Sequence, residues 1–107
     1  MYDERRSLRF DEKLNAQTKD RRQLIEDKMK MVRELPYSAC KSEPLKWRYR
    51  GKRSARIDKA PDRIIYTVCQ ECHQQGHQKS NLMDCPGCED VPMETVNFLD
   101  IDNYHRS

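Results

Sequence analysis

Five cysteines are the residues of this chain best suited to do chemistry, and four of them fall into two short pairs. Cys69-Gln70-Glu71-Cys72 is followed, after twelve intervening residues, by Cys85-Pro86-Gly87-Cys88. A Cys-x-x-Cys turn brings two thiolates onto one ion, and Pro86-Gly87 suits so tight a turn. Two such turns complete a tetrahedral all-sulfur site for one Zn2+, closed to water and therefore structural. Binding of this kind contributes roughly 10–16 kcal/mol of apparent folding free energy. Cys40 stands outside the set and reads as a free, partly buried thiol.

Other uses of these residues compete. Cys69, Cys72 and His77, with Gly76 before the histidine, resemble the first three ligands of a retroviral-type zinc knuckle, which makes His77 the alternative ligand; His73 is weaker still. A thioredoxin-like redox pair needs a Cys-x-x-Cys at the start of a helix that follows a strand. Neither pair carries a helix signal, so redox chemistry is not expected. A disulfide framework needs an oxidising compartment, and nothing in the chain signals one.

The residues leading into the cysteines decide how the site is held. Ile64-Ile65-Tyr66-Thr67-Val68 is a β-branched and aromatic run that enters Cys69 as a strand. Leu82-Met83-Asp84 leads into Cys85, and Thr95 to Ile101 gives a third strand signal. A strand into Cys-x-x-Cys, a hairpin-length spacer and a second strand into Cys-Pro-x-Cys resembles the zinc-ribbon group of zinc fingers over residues 63–101. The resemblance implies a three-stranded antiparallel sheet, in a group found in transcription, translation and ribonucleoprotein machinery. The closed site leaves no open metal position, so no enzymatic activity is expected.

Upstream, residues 7–35 are rich in helix formers and lack Gly and Pro until Pro36 stops the run. Ile25, Met29, Val32 and Leu35 share one face, read as a partner-binding or self-packing stripe. The first dozen residues are expected to fray without a partner. Residues 37–62 read as an extended basic arm. Its core, Lys46, Trp47, Arg48, Tyr49, Arg50, Lys52, Arg53 and Arg56, interleaves cations for phosphates with aromatics that stack on exposed bases.

Charge is distributed in blocks. Residues 1–40 carry +2, residues 41–66 +6, and residues 67–107 −5, within a net charge of +3. A polyanion therefore meets the arm, not the acidic cysteine segment. With 36% hydrophobic and 36% charged residues, the chain is short of apolar core, and a metal staple answers that shortage. No run approaches the roughly 20 apolar residues of a membrane span. The absence of a leader signal and the paired cysteines point to a reducing interior, cytoplasm or nucleus.

The expected fold is thus a small zinc-stabilised α+β chain: helix over 1–36, basic arm over 37–62, zinc ribbon over 63–101, mobile tail over 102–107. The expected function is a zinc accessory protein of a nucleic-acid machine, contacting RNA or DNA through the arm within a larger complex. The alternative is a protein-interaction adaptor using the helix and the acidic zinc module. No small-molecule substrate is expected. Asp100, Asp102 and His105 hint at acid–base chemistry but fall at an end read as mobile.

Overall fold

The computed structural model describes residues 1–46, 51–75 and 91–103. The β-branched run does form a strand, and strand alternation sends Ile64, Tyr66 and Val68 to one face and Ile65 and Thr67 to the other. Five strands build one sheet: β1 (Asp3–Arg6), β2 (Glu43–Pro44), β3 (Arg53–Arg56), β4 (Arg63–Val68) and β5 (Thr95–Asp102), in spatial order β1-β5-β4-β3-β2. β1 lies parallel to β5, and the other neighbours are antiparallel.

Two helices cover one face. Ser7 caps α1 (Leu8–Asn15), its hydroxyl accepting from Phe10 N at 3.0 Å and donating to Leu99 O at 2.6 Å. Thr18 caps α2 (Lys19–Glu34), accepting from Arg21 N. Phe10, Leu14, Ile25, Met29 and Val32 pack on Ala55, Ile57, Ile64, Tyr66, Val68, Val96, Phe98 and Ile101. A bulge in β5 lets this work: Ile65 pairs with Asp100 and Tyr66 with Phe98, leaving Leu99 extra. The added residue puts Phe98 and Ile101, three apart, on the same inward face.

This architecture replaces the expected helix, arm and C-terminal three-stranded zinc ribbon. β4 and β5 coincide with two of the strand signals, but they are central strands of a five-stranded mixed sheet. Their outer partners come from the segments read as frayed end and basic arm. The single helix over 7–35 is two helices, parted where the Thr18 side chain takes up a free amide of the second. Ile25, Met29 and Val32 are buried inside the chain's own core, while Leu35 is 60% exposed past the end of α2.

Candidate functional site

Residues on the sheet face away from α1 and α2 follow from the register. Arg5 is level with Asn97, and Asn97 with Thr67. Lys52, one residue before β3, falls on the same face by the two-residue period. The next rows hold Glu43, Ser54, Ile65 and Asp100, then Arg56, Arg63 and Asp102. Apart from Ile65 the residues of this face are polar or charged, but Ser54, Ile65, Thr67, Asn97, Asp100 and Lys52 are buried and Asp100 is held by Lys13 of α1 at 2.7 Å. Glu43 lies 3.5 Å from Arg63, and Arg56 is directly opposite Arg63 in the ladder. Arg56 is steadied by a bond from Nε to Asp58 O at 3.0 Å. Glu43 is partly open to solvent, so the end of the sheet formed by β2, β3 and β4 offers a carboxylate beside the Arg63 guanidinium, with Arg56 opposite Arg63 in the ladder.

Toward the other end of this face, Cys69 leaves β4 and opens a third helix, α3 (Cys69–Gln75). A Cys-x-x-Cys at a helix start after a strand is the redox arrangement that the sequence did not signal. Cys69 and Cys72 are both buried, which keeps an exchanging thiol from reaching them. Asn97 Nδ2 donates to Cys69 Sγ at 3.3 Å and to Thr67 Oγ1 at 3.0 Å. His73, also in α3, has a buried Nε2 with no hydrogen-bond partner among the described residues. Among the described residues no cluster of three or more His, Cys, Asp or Glu could hold a metal. Cys85, Cys88 and His77 lie outside those residues, as do Trp47, Arg48, Tyr49, Arg50 and His105.

Of the basic arm, Lys46 is exposed, Lys52 is buried, and Arg53 is committed to the fold. Arg53 donates to Glu71 Oε2 and Ser42 Oγ, both at 2.9 Å, and its guanidinium lies 5.3 Å from the centre of the Tyr37 ring. Ser42 and Pro36 O also bond the Tyr66 hydroxyl. One arginine thereby joins β3, α3 and the connection between α2 and β2. Burial, helped by Tyr2 and the Glu71 carboxylate and opposed by Arg53, pushes the Tyr37 phenol up to about 12. Burial also raises Tyr66 and the Cys40 thiol, whose Sγ is 3.9 Å from Lys28 O. Cys40 and Lys41 both take φ 54°, a left-handed pair in a 3-10 turn over Ala39–Lys41.

No protein-family model and no curated protein matches this sequence. Solved structures do match its fold. A YoeB/ParE toxin from Agrobacterium tumefaciens superposes with a TM-score of 0.61 at 18% identity, covering 94% of this chain and 96% of the toxin. A YoeB-YefM complex from Staphylococcus aureus gives 0.60 at 17%, covering 95% of each chain. The fold is that of the YoeB/ParE-type toxins.

That likeness corrects several expectations. The chain is not a zinc ribbon: nearly its whole length, not residues 63–101 alone, takes part in a toxin-type fold. The accessory-protein reading and its adaptor alternative both rested on the ribbon and on a free helix face, and both fall with them. The zinc-finger description falls too. The expectation of no enzymatic activity was argued from a closed ribbon site, and that argument falls with the ribbon. No helix among the described residues is long and apolar enough to cross a membrane.

Proposed function

We propose that this chain is a toxin-type enzyme that cleaves RNA, working from the sheet face opposite α1 and α2. The observation that carries the reading is Glu43 set 3.5 Å from Arg63, with Arg56 paired to Arg63, in a fold matched end to end by toxins. Attack of a ribose 2′-hydroxyl on its neighbouring phosphate needs a base for the hydroxyl proton and cations for the charge that gathers on the phosphoryl oxygens. Glu43 takes the proton, and Arg63 and Arg56 hold the phosphate. The O2′–P bond forms, the P–O5′ bond breaks, and the departing 5′-oxygen takes a proton from water. Expression in a bacterial host tests this: growth arrest with loss of intact RNA, relieved by Glu43→Gln, supports it. Unimpaired growth with soluble chain present, or an unchanged arrest by Glu43→Gln, overturns it.

Since one neighbour is solved as a YoeB-YefM complex, a protein partner that holds this chain in check belongs to the same reading. The chain's place of action is then the cell interior, where RNA is met.

The four-cysteine ligand set is retained as a separate proposal, without the ribbon. β4 ends at Val68 and β5 begins at Thr95, which leaves residues 69–94 to connect two paired strands. Excursions longer than about 12–15 residues need structure of their own. One Zn2+ on Cys69, Cys72, Cys85 and Cys88 supplies it as a staple.

A further inference from the structure

We infer that two copies of this chain pair through the outer edge of β1, strand to strand, about a twofold axis normal to the sheet. β1 is an edge strand, and among the described residues no strand pairs with its outer side. Asp3 and Arg6 are exposed there. Asp3 N donates to Glu94 O and Ser7 N to Phe98 O, both at 2.9 Å, so the odd-numbered residues bond inward to β5. The two-residue period then turns the N–H and C=O of Tyr2, Glu4 and Arg6 outward. Tyr2 is already taken: its N–H donates to Arg33 O and its carbonyl accepts from Arg33 Nε, both at 2.8 Å. Glu4 and Arg6 remain, on an edge bordering a cavity of about 190 Å³ walled by Glu26, Met29, Lys30 and Arg33 of α2.

A row of outward backbone groups is a template for another strand. Charge selects which strand. Asp3-Glu4-Arg5-Arg6 runs from negative to positive, so an antiparallel copy meets it with the opposite sign. Two copies joined at the same edge about this axis do run antiparallel. Facing residues in such a ladder turn their backbone groups the same way, so Glu4 can face only Tyr2, Glu4 or Arg6 of the other copy. Tyr2 is occupied by Arg33, and Glu4 against Glu4 opposes like charges while setting Arg6 against that same Tyr2. Glu4 against Arg6 uses both open residues of each copy and brings opposite charges together twice. Each such pair exchanges two backbone bonds, about four in all. The two Arg5 residues then meet at the axis on the other face, each half-buried in its own chain and diagonal to Asp3 of the other. The same register carries Leu8, 75% exposed just past the strand, toward the start of the other copy's β1.

Self-association of the full-length chain is measured by sedimentation velocity over a concentration series at low salt. A contact this short belongs to the small, weak class, so wild type should be monomeric when dilute and dimeric when concentrated. Arg6→Pro removes an outward N–H from each copy while sparing the bonds to β5, and should weaken association at least about tenfold. Glu4→Arg alone and Arg6→Glu alone should each stay monomeric, since each sets like charges opposite. An equimolar mixture of the two should dimerise again, because every facing pair is then of opposite sign. If Glu4→Arg is unfolded by Arg33, 3.3 Å from Glu4, Arg6→Pro and Arg6→Glu carry the test. A wild type that stays monomeric at every concentration overturns the inference and leaves the edge to another protein's strand. A dimer that Arg6→Pro and Arg6→Glu leave unchanged overturns it too, as does a mixture of folded charge reversals that stays monomeric.

Discussion

The Phe10 ring stacks on that of Phe98, centroids 5.4 Å apart and planes 27° from parallel. The first helix is thereby fastened to the last strand, and both rings are fully buried. Cutting Phe10 to Ala should cost about 3–5 kcal/mol, through lost burial and the cavity left behind. Leu8, two residues earlier and 75% exposed, should change stability by less than about 0.5 kcal/mol on the same substitution. Urea unfolding of the full chain measures both. Equal effects would mean that α1 is not seated on β5.

Arg53 offers a sharper test of how the site is held. Its side chain is 11% exposed and that of Glu71 15%, so breaking the pair strands a charge. Arg53→Ala should destabilise the chain by about 3–5 kcal/mol. Removing Glu71 as well should return part of that loss in a double-mutant cycle. Additive losses would show that the 2.9 Å contact carries no coupling.

Alkaline pH should act through the phenols. Tyr37 is pushed up to about 12 and Tyr66 is raised as well, burial leading in both. The unfolded chain loses these protons near pH 10, before the folded chain does. Stability is therefore full below pH 10 and falls as pH rises toward 12. Absorbance at the phenolate band, followed beside unfolding, checks the window. At the acid end, the Ala60 amide and then Arg21 hold Asp58 below its usual value, so its contribution is lost only as pH drops through that lowered value.

The metal proposal predicts one zinc per chain by elemental analysis of protein purified under reducing conditions. Cys88→Ser should lose it, and Cys40→Ser should keep it. Retention by Cys88→Ser with loss by His77→Ala would move the ligand set to the alternative histidine.

How much of this could be read beforehand depended on where apolar side chains fell. β4 and β5 were legible because β-branched residues run through Arg63–Val68 and Thr95–Asp102. β1 was not, since Asp3-Glu4-Arg5-Arg6 has no apolar alternation. It is a strand because its backbone pairs with β5, a tertiary cause that local propensity does not carry. Arg53-Ser54-Ala55-Arg56 hid β3 in the same way, inside a run whose charge suggested a solvated arm. The break at Ala16–Thr18 and the burial of Phe10 were not expected, because helix formers run through 7–35 without Gly or Pro. The spacing of the cysteines was equally compatible with a small ribbon and with an excursion from a larger sheet. The pairings of β1 with β5 and of β3 with β4 separate the two. Glu43 and Arg63 lie 20 positions apart in sequence, so their approach was visible only once β2, β3 and β4 lay side by side.

The most direct test is chemical. Purified chain is added to a bacterial cell-free translation reaction, and RNA ends are mapped at nucleotide resolution. Cleavage by the wild type should leave new 2′,3′-cyclic phosphate ends, reduced about 10²- to 10⁴-fold in Glu43→Gln. No new ends with folded wild type, or equal cleavage by Glu43→Gln, would contradict the assignment of RNA scission to this face.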